Sequence, residues 1–245
     1  MTRFIYEPEK VTIIGTGHDE PMVPLHRFDA AALREHFRNP PRWQPEQSDE
    51  ARLSLSSKDW KPAAVLIPLV VRESGLDVLL TMRTAHLHDH ASQISFPGGR
   101  WEQGDADLIA TALREAEEET GLADHYIEVL GVLPDYHTIS GYRVAPVVGL
   151  VNPAFELIPD AFEVEEVFEV PLNFLMNPAN HQVRAIEVGS IQRRFYSMPY
   201  PKALSKKSVA APTSGTTDRG ADESYFIWGA TAAIIRNLYH FLKAT

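Results

Sequence analysis

The chain has 245 residues, with 23 Lys and Arg against 33 Asp and Glu, for a formal net charge of −10. That balance excludes a general polyanion binder, which needs a basic face to displace counterions, though not a small anionic ligand held through a cation. With no cysteine, disulfides, zinc–thiolate sites and thiol nucleophiles are also excluded. Apolar residues at 44% and charged residues at 23% predict a packed globular core of one large or two small domains. The opening MTRFIYEPEK has no apolar stretch of the signal-peptide kind. The longest apolar run, residues 63–71, is broken by Pro68, and a membrane span needs about 20 apolar residues. A soluble, cytoplasmic protein is expected.

Residues 11–14 read as a short strand. Gly15-Thr16-Gly17 follows, but Glu20 stands where a dinucleotide-binding loop needs its third glycine, so this reads as a turn. Asp29 can cap a helix over 30–37, ended by Pro40-Pro41. Residues 38–60 are polar and proline-rich, so 1–60 is expected to be an arm and 61–245 the main domain. Runs at 63–71 and 76–82, joined by Glu73-Ser74-Gly75, predict a hairpin. Ser95-Phe96-Pro97-Gly98-Gly99 reads as a sharp loop. Residues 105–120 make the strongest helix, with Leu108, Ala112, Ala116 and Glu119 near a 3.6 period and Gly121 as its stop. Asp105 and Asp107 suit its positive N-terminal end. Strands are expected at 127–133, 144–151, 163–169, 182–188 and 191–198, the last two joined by Gly189-Ser190. Residues 201–224 read as a mobile loop, and its Lys206-Lys207 is too small a patch to imply nucleic acid. A strand at 225–228 and a helix at 230–242 close the chain. Strands mixed with few helices predict an α/β or α+β sandwich.

The chemically informative segment is Arg114-Glu115-Ala116-Glu117-Glu118-Glu119-Thr120-Gly121-Leu122. Glu115, Glu118 and Glu119 stand at i, i+3 and i+4, so they share one helix face and repel one another. A hard divalent cation such as Mg²⁺, which takes carboxylate oxygens along with waters and phosphates, would reverse that repulsion. The alternative is a solvated acidic face.

Residues 99–122 resemble the Nudix box, the loop–helix–loop signature G-x5-E-x7-R-E-U-x-E-E-x-G-U of the Nudix hydrolase family, with U an apolar residue. The second half matches at every fixed position from Arg114 to Leu122. In the first half Ala106 stands where the motif has Glu, and Asp105 lies one position earlier, six after Gly99. That change bears on the anchoring of Arg114 and leaves the metal face alone. The resemblance implies a Nudix-type α/β/α sandwich with a mixed β-sheet. It also implies a hydrolase of a nucleoside diphosphate linked to another group. Glu115, Glu118, Glu119 and the carbonyl at Gly99 would hold Mg²⁺ or Mn²⁺. Glu115 or Glu118 would accept a proton, and Arg114 would fix the glutamates.

Residues 79–99 further resemble the coenzyme A pyrophosphatase branch of that family, whose signature begins Leu-Leu-Thr-x-Arg and ends Phe-Pro-Gly-Gly. Leu79, Leu80, Thr81, Arg83, Phe96, Pro97, Gly98 and Gly99 match in register. Thr84 replaces Ser or Ala, His88 stands in the place of an Arg, and Ser92 in the place of a Gly. Arginine suits a bidentate phosphate grip, whereas histidine is smaller and only partly charged. The likeness continues at 140–149, 167–172 and 225–236. It implies cleavage of coenzyme A or its thioesters to 3′,5′-ADP and 4′-phosphopantetheine, free or acylated, with Arg83, His88, Phe96, Gly98 and Tyr142 on the substrate. The alternatives are ADP-ribose, NADH or a dinucleoside polyphosphate as substrate, or a non-catalytic sensor. An isoprenoid diphosphate isomerase is excluded because its chemistry needs a cysteine. His86, His88 and His90 alternate as a zinc site or as loop histidines at the substrate mouth. Arg83 is divided between a phosphate and a strand-surface pair. Tyr136, His137 and Tyr142 are divided between core packing and base stacking. Arg236 reads as an end-of-domain salt bridge. The expected partner is a small nucleotide, with neither nucleic acid nor membrane, and a homodimer is left open.

Overall fold

The computed structural model describes residues 7–46, 60–85, 92–188, 191–205, 208–211 and 224–245. Two strands set the frame: β2 (Lys61–Arg72) and β8 (Tyr142–Val151) run parallel through the middle of a nine-stranded sheet. β3 (Gly75–Arg83) and β9 (Val164–Pro171) extend it on one side by antiparallel pairing, and β6 (Ile127–Val132) edges it on the other. Three short strands, β4 (Ile94–Ser95), β5 (Gly98–Arg100) and β7 (Tyr136–His137), add to β3, β2 and β8. One parallel ladder among antiparallel ones makes the sheet mixed, as the sequence predicts.

β2 is apolar without alternation because both its faces are covered. Ala63, Ile67 and Leu69 join one core cluster, while Ala64, Leu66 and Val70 join the other. Burying each of the larger side chains contributes about 1.5–3 kcal/mol. Pro68 sits in this central strand without breaking it. β2 pairs with β5 through residues 63–65 and with β3 through 69–72. Pro68 falls between those two ladders, so its missing N–H leaves neither incomplete.

The helix α2 (Leu108–Thr120) packs on β2 through Ala112 and Ala116, both fully buried, whose small side chains let it lie close to the sheet. The other face carries α4 (Gly229–Lys243), α1 (Ala30–Arg38) and a second, antiparallel sheet. This four-stranded sheet, in the order β1 (Ile13–Thr16), β10 (Gln182–Val188), β11 (Ile191–Pro201), β13 (Ser224–Trp228), is absent from the sequence reading. The β10–β11 hairpin is the one pairing that the local sequence announces; β1 with β10 and β11 with β13 join distant parts of the chain.

Three expectations need correction. Gly15 and Thr16 are not a turn but part of β1, opposite Val183 and Gln182. The expected arm is partly built into the body, with β1 in the second sheet and Leu33 of α1 fully buried. Part of the expected mobile loop, Ser208–Ala210 (β12), is an edge strand on β9. Asp29 caps α1 as predicted, accepting from the Ala31 and Ala32 N–H groups at 2.8 and 3.1 Å. The short α3 (Leu172–Leu175) follows β9. The Gly189-Ser190 turn lies outside the described residues. No helix among the described residues is long and apolar enough to cross a membrane.

Candidate active site

α2 begins three residues later than predicted. Asp107 is its cap, accepting from the Ala110 N–H at 2.8 Å, and Gly121 ends it in the left-handed region at φ 75°. This frees Asp105 for another task. Its carboxylate takes two hydrogen bonds from Arg114, Nε to Oδ1 at 2.9 Å and Nη2 to Oδ2 at 3.0 Å. The Thr111 hydroxyl and the Glu102 N–H donate to the same carboxylate, each at 2.9 Å. So the displaced aspartate anchors Arg114 by a two-pronged contact. The hydrogen bond from Arg114 holds the Asp105 carboxyl well below the usual carboxylate range, and the same bond pushes the Arg114 guanidinium up.

The rest of the Arg114 fork reaches the glutamates. Nη1 donates to Glu115 Oε1 at 3.0 Å and to Glu118 Oε2 at 2.8 Å, while Nη2 donates to the Arg100 carbonyl at 3.1 Å. One side chain thus ties α2 to β5. Glu119 is 4% exposed and receives the Gly98 N–H at 3.2 Å; Arg83 Nη1 lies 3.6 Å away. Burial pushes its carboxyl up to about 8, against the pull of Arg83 and the Gly98 N–H. Glu115 is also raised by burial, opposed by Arg114. Glu118 is largely open to solvent.

The glycine pair is shaped to these carboxylates. A Cβ on Gly99 would stand 2.5 Å from Glu115 Cδ and 2.6 Å from each of its oxygens. A Cβ on Gly98 would stand 2.4 Å from the Ala64 carbonyl oxygen. The side-chain-free turn is therefore the space that Glu115 occupies.

Among the described residues, no three His, Asp or Glu side chains already converge as a closed metal cage. The donor set still suits a hard cation. Glu115, Glu118 and Glu119 supply oxygens alone, and the Gly99 cradle holds one carboxylate against the turn's backbone.

The structure brings together Arg83, Gly98, Gly99, Arg114, Glu115, Glu118 and Glu119. Phe96 does not join them: it is 2% exposed and packs in the core, so it holds the loop's base and offers no surface to a ligand. Tyr136 is likewise core, and His137 packs edge-on against Trp60 at 4.6 Å. Tyr142 lies at the start of β8, with cations over its ring. His86, His88 and His90 lie outside the described residues. Sequence reasoning missed Glu163, whose charge raises both Glu115 and Glu119. It precedes β9, far from α2 in sequence, and no spacing could have marked it.

The backbone at Ser92 shows why a glycine suits this position. Its φ is +57°, the one positive value of a non-glycine among the described residues. The Arg83 N–H to Gln93 carbonyl and Ser92 N–H to Arg83 carbonyl bonds, 3.0 and 3.2 Å, fix the loop's return there. Glycine takes this conformation freely, whereas a side chain costs about 1–2 kcal/mol. Ser92→Gly is expected to stabilise the protein by about 1 kcal/mol in urea unfolding, part of the relief being offset by a freer unfolded chain. An unchanged or lower midpoint would show instead that the serine side chain holds the turn.

Residues 60–188 match the NUDIX domain family. A protein of Escherichia coli O1:K1 named uncharacterized Nudix hydrolase NudL is 39% identical over 188 residues, covering 76% of this chain and 85% of its own. Its namesake in Citrobacter koseri is 38% identical over 178 residues, covering 73% and 81%. A solved MutT/nudix family protein from Enterococcus faecalis is 17% identical with a TM-score of 0.41, covering 85% of this chain and 73% of that one; so slight a likeness adds nothing to the assignment. The box from Arg114 to Leu122, its anchor on Asp105 and the two close relatives agree: the chain belongs to the Nudix hydrolase family, hydrolases of the phosphoric anhydride bond in nucleoside diphosphate derivatives.

Proposed function

We propose that this Nudix hydrolase cuts the diphosphate of coenzyme A or its thioesters, giving 3′,5′-ADP and 4′-phosphopantetheine or its acyl form. The observation that carries this is the fit of Gly98-Gly99 to Glu115 and Glu119. The turn that ends the coenzyme A-type signature is the turn against which the glutamates are set. Glu115, Glu118, Glu119 and the carbonyl at Gly99 would hold Mg²⁺ or Mn²⁺. When bound, such an ion neutralises diphosphate charge and acidifies a coordinated water. The chain's own groups do the rest. Glu115 or Glu118 accepts the proton, Glu115 being the one set between Arg114 and the Gly99 turn. Arg114, fixed by Asp105, sets the angle between Glu115 and Glu118. Arg83, 3.6 Å from Glu119, would offer its guanidinium to a phosphate oxygen.

The test is phosphate release, after phosphatase coupling, from a panel of coenzyme A, acetyl-coenzyme A, dephospho-coenzyme A, ADP-ribose, NADH and diadenosine polyphosphates with Mg²⁺ or Mn²⁺. Selective cleavage of the coenzyme A species supports the reading. Preference for ADP-ribose or NADH supports the second reading, which His88 in the place of an arginine favours. Binding without turnover would leave only a sensor.

Gly99→Ala separates activity from folding. The intruding Cβ meets the far end of a flexible side chain, so Glu115 swings aside at small cost in stability. A fall in kcat of about tenfold or more is expected, since misplacing a catalytic group by about 1 Å can cost 10²-fold, with an unfolding midpoint near wild type. A large loss of stability would mean that Glu115 is held too firmly to yield.

A further inference from the structure

Around the corner from the glutamates, three strands bring two cations, with no ion-pair partner among the described residues, to one aromatic ring. Lys61 on β2 and Tyr142 on β8 stand directly opposite in the parallel ladder. Arg100, ending β5, lies opposite Ala63, two residues along β2 from Lys61 and on the same side of it. The Lys61 Nζ is 5.8 Å from the Tyr142 ring centre and the Arg100 Cζ is 5.2 Å from it. Tyr142 is itself fixed by the tight turn before it, where its N–H reaches the Thr138 hydroxyl at 3.0 Å.

Among the described residues neither Lys61 nor Arg100 has a carboxylate within salt-bridge distance, although the chain carries ten more acidic than basic side chains. The neighbouring Arg143 shows the contrast, with Asp135 at 3.5 Å. Two like charges over one ring repel, and cation–π attraction of about 0.5–1 kcal/mol at an exposed site does not make the pair a stabilising device. An anion between them would. The position fits one substrate. The Arg100 carbonyl accepts from Arg114, and the residue before it cradles Glu115, so the cations begin one residue from the catalytic carboxylates. Strand alternation carries the Arg100 side chain to the sheet face opposite Glu115. A ligand running from the glutamates over the end of β2 would meet it away from the scissile diphosphate.

We propose that Lys61 and Arg100, spaced by Tyr142, form a second anion subsite that takes a phosphomonoester on the ribose of the nucleotide moiety. Tyr142 acts as the platform that positions the cations, not as a stacking surface for a base. The inference deepens the coenzyme A reading, yet it concerns any nucleotide that carries a ribose phosphate.

The test is calorimetric binding of 3′,5′-ADP and of 5′-AMP to the metal-free protein, wild type against Lys61→Ala, Arg100→Ala and the milder Arg100→Gln. Wild type is expected to prefer 3′,5′-ADP by about tenfold or more, and each alanine variant to lose most of that preference while 5′-AMP affinity holds within about twofold, as a charge-assisted phosphate contact is worth a decade. Equal wild-type affinity for the two nucleotides overturns the subsite. So does equal weakening of both by the variants, which would place the cations on the 5′-phosphate. Because no turnover is read, failure to hydrolyse coenzyme A would overturn the substrate reading without touching this one.

Discussion

Glu115→Gln is expected to lower kcat by about 10³-fold while leaving KM within a few-fold and the fold intact, in the range that removing a general base produces. The amide keeps the shape that fills the space beside Gly99, so packing is preserved. It loses the charge that accepts a proton. Glu117→Gln is the control, since Glu117 is exposed, away from the face shared by the other glutamates, and its variant should retain wild-type rates. Single-turnover kinetics with saturating Mn²⁺ isolate the chemical step. A Glu115→Gln rate within threefold of wild type would move the proton to Glu118 and leave Glu115 a positioning role.

Arg236→Ala is expected to destabilise the protein by about 3–5 kcal/mol, the loss seen when one partner of a buried ion pair is removed. The salt bridge expected at Arg236 is present and buried, with Arg236 3% exposed at the centre of a hub. It contacts Glu20 Oε1 at 3.0 Å, Glu46 Oε2 at 2.8 Å and His181 Nδ1 at 3.0 Å, with the rings of Tyr196 and Tyr239 4.6 and 5.0 Å away. Removing it leaves two carboxylates of the N-terminal segment without their shared cation. Urea unfolding measures the effect, and a loss below 1 kcal/mol would show that water replaces the guanidinium without penalty.

The same hub sets a pH limit. His181 is fully buried; its Nε2–H donates to the Leu175 carbonyl at 2.6 Å and its Nδ1 accepts from Arg236. Both nitrogens are satisfied only in the neutral ring. Burial lowers it to about 4, with Arg236 adding to the effect and the Leu175 carbonyl opposing it. The unfolded ring, near 6.5, then binds the proton first as pH falls. Stability from His181 is complete above pH 6.5 and drains away toward pH 4, on the order of 3 kcal/mol in all. Glu46, lowered to about 2, extends the loss below pH 4.5. His181→Gln should flatten the slope between pH 4 and 6.5, and an unaltered slope would assign it to another group.

What could be read beforehand was what the chain writes locally. The glutamate face, the glycine stop of α2 and the Asp29 cap each depend on residues within one or two turns, so spacing alone placed them. The double coverage of β2 was legible as an apolar run, but its parallel partner β8, some 80 residues on, was not. Phe96 was misplaced because a signature records which residues recur, not whether they face ligand or core. Asp105 is legible in the sequence both as a dipole partner and as bearing on Arg114, but its two-pronged grip needs the Arg114 side chain to fold back along α2, which spacing does not show. Lys61, Arg100 and Tyr142 come from three separate strands, and only sheet register brings them together.

β10 pairs with β1 on one side and β11 on the other. This makes β1, synthesised early among the described strands, one of the last to be fixed. As the chain leaves the ribosome, β1 has no ladder to join until residues 182–188 emerge, and Glu20 and Glu46 meet their cation only when residue 236 does. The central sheet apart from its edge strand β12, together with α2, is made by residue 171 and can form well before that. Closure of the N-terminal segment is thus a late, long-range step, in which loop entropy weighs more than local propensity.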